Sequence, residues 1–191
     1  PFRRHATPAP DNNKNPQVLL RGDLQAGTHA VPHPYKSSSL TAQATRLSVP
    51  LTVHPGIGYD IIYNHPMANG AALGRAAHVD YRTLVHSVSR LEASGVVMSV
   101  GSAIMAPQVM EKAVSAANNL RLARGQQQLS PLFAVNDLVP SQWDWSTGDP
   151  PADHPAYYTR FCKSFSRLGG EMIYIGADNR VFLQNLLSRL E

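Results

Sequence analysis

The chain has 191 residues, 43% of them hydrophobic and 16% charged, with a formal net charge of +4 and one cysteine. That length accommodates one domain with a real core, and the apolar content excludes global disorder. The lone Cys162 excludes an internal disulfide framework, no apolar run reaches bilayer length, and the basic residues are too scattered for a nucleic-acid stripe.

Residues 1–36 contain six prolines and only two acidic side chains. Residues 1–37 read as an extended Pro-rich arm that orders only against a partner, leaving residues 38–191 as the domain proper. The arginine-bearing, acid-poor stretch "FRRHATPAP" fits the remnant of an organelle-import segment. A mitochondrial location is expected, with the cytoplasm as the alternative. The arm would meet other protein subunits or RNA.

"SSSLTAQATRL" predicts a short helix with Ser at its cap and Leu40, Ala44 and Leu47 on one face. "VPLTVH" alternates and predicts a strand. A loop follows, "HPGIGYDIIYNHP", with two glycines, two histidines and an aspartate in thirteen positions. "GAALGRAAHVDYRTLVHSVSRLEAS" places Leu73, Ala77, Tyr81, Leu84, Val88 and Leu91 at steps of three and four, a helix that Gly95 ends. "GVVMSVG" reads as an all-apolar strand buried on both faces. "MAPQVMEKAVSAANNL" has Pro107 in its first turn and Val109, Ala113, Ala117 and Leu120 turned inward.

The rhythm repeats with the strand "PLFAVND", a Trp- and Pro-rich loop, the helix "AYYTRFCKSFSRLGG", the strand "EMIYIG" and the closing helix "DNRVFLQNLLSRLE". Four alternations of strand and helix predict a Rossmann-like α/β fold, a parallel sheet with helices on both faces. In such sheets ligands bind beyond the carboxyl ends of the strands. His54 to His65, Gly101–Ser102, Asn136–Asp137 and Asp178–Asn179 all fall there. Each cluster also has a plain structural reading, because Gly, Asn, Asp and Ser are ordinary turn and cap residues.

Motif chemistry is sparse. Gly56 and Gly58 form G-x-G without the third glycine of a dinucleotide fingerprint. Gly101–Ser102 offers backbone N–H groups to a phosphate, or a tight turn with a serine cap. His54, His65 and His78 have no metal-ligand spacing, so no metal is expected. Asp60 and His65 fit an acid–base pair. A hydrolase is not expected, since "SVGSAIM" lacks the G-x-S-x-G elbow.

"YDIIYNHP", "VVMSVGSAIM" and "GADNRVF" resemble the deoxyhypusine synthase family, and more closely its bacterial relatives of unsettled function. The likeness spans about residues 49–190 and implies a Rossmann-like domain of the NAD-binding type, assembled as dimers or tetramers. It places Asp60 and His65 in an amine-substrate pocket, with His54 as a third catalytic candidate. Gly101, Ser102, Ala177, Asp178 and Asn179 become the candidate NAD contacts. The family's imine-forming lysine aligns with Met105, whose thioether cannot form an imine. The family's amino-terminal strands have no counterpart here. The sequence therefore reads as a non-catalytic subunit of a larger assembly, with an uncovered sheet edge open to a neighbour. An NAD-binding enzyme acting on a small amine is the alternative.

Overall fold

The computed structural model describes residues 34–65, 68–92 and 94–190. They fall into two compact units: residues up to 51 with 56–73, and residues 52–55 with those from 74 onward. Residues 1–33, most of the expected arm, lie outside the described residues.

The first unit carries helix α1 (Leu40–Arg46), and the Ser39 hydroxyl caps it by accepting the Ala42 N–H at 3.3 Å, as the sequence predicts. Its apolar face finds no core: Leu40 and Leu47 are exposed, and Gly56 is the only buried residue among the described residues of this unit. A 3-10 turn, Ile61–Asn64, follows the glycine-rich loop. Helix α2 (Gly70–Ser89) begins here and continues into the second unit.

The second unit holds a three-stranded parallel sheet of β1 (Val96–Val100), β2 (Leu132–Asp137) and β3 (Glu171–Gly176), in the spatial order β1-β2-β3. Val97, Phe133 and Met172 share one row of the register, and Ser99, Val135 and Tyr174 the next. These rows form the core face. Helix α3 (Met105–Leu122) and helix α4 (Cys162–Ser166) pack against each other, and α4 also meets β2 and β3. Ala113 and Ala117 are completely buried, because a methyl side chain lets α3 approach closely, and Phe133 meets Phe165 with ring centroids 6.1 Å apart. The core is completed from α2 by Val88, with Tyr81, Leu84 and Val85 packed on it. Helix α5 (Asn179–Leu187) meets β2 but buries no residue of its own.

Several expectations need correction, and Leu120 of α3, expected to turn inward, is 48% exposed. The segment "VPLTVH" is not a strand: Val49, Leu51 and Val53 are exposed, and the Val53 N–H donates to the Asp80 carboxylate at 2.9 Å rather than to a neighbouring strand. Among the described residues the sheet therefore has three strands, not four. β1 is not buried on both faces; Val96 and Met98, on the face opposite the core, are 53% and 43% exposed. Cover by helices on both faces is thus incomplete. Finally, the predicted helix after Pro155 is a 3-10 run, Pro155–Phe161, that becomes α-helical only at Cys162. Adjacent aromatic and β-branched side chains, Tyr157, Tyr158 and Thr159, favour α-helix weakly there. Helix α2 also stops at Ser89 rather than at Gly95, although Leu91 still reaches the core.

Cys162 is fully buried, and its thiol is pushed up to about 12, chiefly by burial and then by the nearby Asp137 carboxylate. Burial above all, with Asp137 adding, raises the Tyr174 phenol to about 12 as well. Both groups hold their protons more tightly when folded. Stability is therefore full below their unfolded pKa values and falls as pH rises toward 12. Urea midpoints measured at increasing alkaline pH are expected to drop steadily. Ellman's reagent is expected to leave Cys162 untouched in native buffer and to react once urea unfolds the chain; native-state labelling at a free thiol's rate would contradict this burial.

Candidate functional site

The carboxyl edge of the sheet gathers the polar residues of the second unit. At the end of β2 the Asn136 side-chain amide donates to the carbonyls of Ile175 and Ala177 at 2.9 and 3.0 Å, tying β2 to the turn after β3. The Asn136 carbonyl accepts the Gly101 N–H at 3.0 Å, tying it to the turn after β1. Gly101 has φ +64, in the left-handed region, and a Cβ on it would lie 2.4 Å from the Asn179 amide nitrogen. Only glycine satisfies both the backbone and that approach.

Gly101, Ala177 and Asn179 are therefore brought together around Asn136. Ser102 and Asp178 stand beside them with structural tasks of their own. The Ser102 hydroxyl accepts the Ala106 N–H at 2.9 Å at the start of α3. Asp178 Oδ1 accepts the N–H groups of Arg180 and Val181 at 3.0 and 3.1 Å, capping α5. Those contacts, the Val181 N–H foremost, hold the Asp178 carboxyl below its ordinary range.

Three buried side-chain oxygens in this region make no hydrogen bond: Ser99 Oγ, Asn136 Oδ1 and Asn179 Oδ1. Asn136 is 1% exposed. Leaving a buried polar atom unpaired costs about 1–3 kcal/mol, so such groups are few in native proteins and mark functional sites when they cluster.

A cavity of about 250 Å³ opens beside β1, lined by Val97, Met98 and Ser99 of the strand, the first turns of α3, Leu84 and Phe165. His54 and Thr52 complete it, with His54 Nε2 and the Thr52 hydroxyl 2.9 Å apart. Met105 lines this same cavity.

Asp60 and His65 sit in the first unit, at the two ends of the 3-10 turn Ile61–Asn64. There Asp60 Oδ2 accepts the Gly56 N–H at 3.3 Å while the Asp60 N–H donates to the Gly56 carbonyl at 3.0 Å. Asp60 thus closes its own loop. Tyr59 lies where a Cβ on Gly56 would otherwise stand, so one of the loop's glycines makes room for a ring of the same loop. Among the described residues no three His, Cys, Asp or Glu side chains group as a metal site.

Ser99 escaped the motif reading because it stands inside a strand that reads as apolar. Its signal was the single hydroxyl in "VVMSV", on the inward parity with Val97. No family model, curated protein or solved structure matches this chain.

Ser99→Ala removes an unpaired buried hydroxyl at almost constant volume. It is expected to raise unfolding free energy by about 1 kcal/mol, seen as a higher urea midpoint with an unchanged slope. Gly101→Ala is expected to lower it by about 1–2 kcal/mol through the left-handed backbone alone. A neutral Gly101→Ala would show that the turn relaxes freely.

Proposed function

We propose that this chain is a non-catalytic subunit of a larger assembly, built on a deoxyhypusine-synthase-like α/β domain. The observation that carries this reading is apolar surface without cover. In the first unit Ile57, Tyr59 and Ile61 stand exposed on one short loop, Ile61 at 81%, and no core lies beneath them among the described residues. In the second unit Val96, Met98 and Ile173 are exposed on the non-core face of the sheet at its outer strands, while Ala134 of β2 between them is buried. Clusters of exposed apolar side chains such as these point to contact with another macromolecule. Among the described residues no helix is long and apolar enough to cross a membrane. A neighbouring protein subunit is the cover that fits.

The lack of catalysis rests on Met105. In the family the sequence resembles, this position supplies the amine that forms the imine, and a thioether has no such chemistry. Mitochondria are the proposed setting, on the acid-poor, arginine-bearing composition of residues 1–36.

A second reading, an NAD-binding enzyme acting on a small amine, draws support from the meeting of Gly101, Ala177 and Asn179 at the carboxyl edge. It is weakened by the helix-end duties of Ser102 and Asp178 and by the absence of any carboxylate from the cavity lining among the described residues.

In its own cells the tagged chain is expected to sediment with a particle far heavier than its own 20.8 kDa. Ile61→Asp combined with Val96→Lys is expected to shift it to the light fractions while near-UV circular dichroism stays native. A monomeric wild-type chain whose melting temperature rises by several degrees with NAD would reject the subunit reading in favour of the enzyme.

A further inference from the structure

We propose that the cavity beside β1 binds a small neutral molecule, a single ring bearing one hydroxyl or carbonyl group that pairs with Ser99. Every residue of its lining belongs to the second unit. Two methionines, Met105 and Met110, with Phe165, Leu84 and Val97, make the walls apolar and adaptable, since thioether side chains re-pack readily and favour aromatic partners. An apolar cavity of about 150 Å³ already accepts benzene. At about 250 Å³ this one has room for a ring and a polar substituent.

The polar groups are few and specific. Ser99 is 6% exposed and its hydroxyl has no partner. The His54–Thr52 pair lies on the same lining. Among the described residues no Asp, Glu, Lys or Arg lines the cavity. A cationic amine would be desolvated there without a counter-charge, which costs far more than one hydrogen bond returns. A carboxylate would meet the same penalty. A neutral donor or acceptor pairs the orphan hydroxyl and leaves no charge buried.

The methionines supply their own reporter. In the full chain labelled with ¹³C-methyl methionine, benzyl alcohol is expected to shift the Met105 and Met110 resonances saturably. Met172, which packs in the core and does not line the cavity, is expected to stay in place. Benzyl alcohol should bind about tenfold more tightly than toluene, the difference one hydrogen bond makes to an otherwise unpaired group. Benzylamine in its cationic form should give no saturable shift. Ser99→Ala should bring benzyl alcohol to within about twofold of toluene, with an unmoved Met172 resonance reporting an intact fold. The proposal falls if benzyl alcohol leaves the Met105 and Met110 methyl groups unmoved, if the cation binds as well as the alcohol, or if the alcohol keeps its advantage in Ser99→Ala.

Discussion

A parallel sheet whose strands advance in a single direction constrains everything built on it. Crossovers between parallel strands are almost always right-handed, and with the order β1-β2-β3 that rule sends both connecting segments to the same side. α3 and α4 accordingly pack on each other, and the buried side chains Phe133, Val135, Phe165, Ala113 and Ala117 gather in one layer. A doubly wound sheet reverses direction midway and so covers both faces. This sheet does not reverse among the described residues, and Val96, Met98 and Ile173 are the result. The apolar surface on which the subunit reading rests follows from topology as much as from composition.

The carboxyl edge shows the opposite economy. There the chain spends polar groups on itself: Asn136 bridges two turns, Ser102 and Asp178 cap helices, and Gly101 yields space to Asn179. Local structure accounts for most of the polar atoms that a ligand would want. What remains unpaired, Ser99 Oγ, Asn136 Oδ1 and Asn179 Oδ1, is costly enough to demand a reason. Functional sites are where proteins retain such costs.

Elements with a strong period were legible before any coordinates. The 3.6-residue stripe of α2, the Pro107 start of α3, the Ser39 cap and the polar termination of β2 all stand where the residues put them. "VPLTVH" misled because alternation alone cannot supply a partner strand; Asp80, 27 residues away, takes the Val53 N–H instead. β1 misled because an apolar run reads identically whether one face or two are covered. Of the candidate site, residues at strand ends were found from their types. The cavity was not, because it joins Ser99, Met105, His54 and Phe165 across long sequence separations. The loop around Asp60 looked chemical because the residues that close a tight turn are also those that serve catalysis.

The one-sided sheet also bears on the life of the chain in the cell. On the proposed subunit reading, any copy made in excess of its cover would display, while fully folded, the surface that chaperones and proteases use to recognise incomplete proteins. Supply would then be matched to demand by removal of the surplus, so that the abundance of this chain tracks that of whatever shields Val96, Met98 and Ile173.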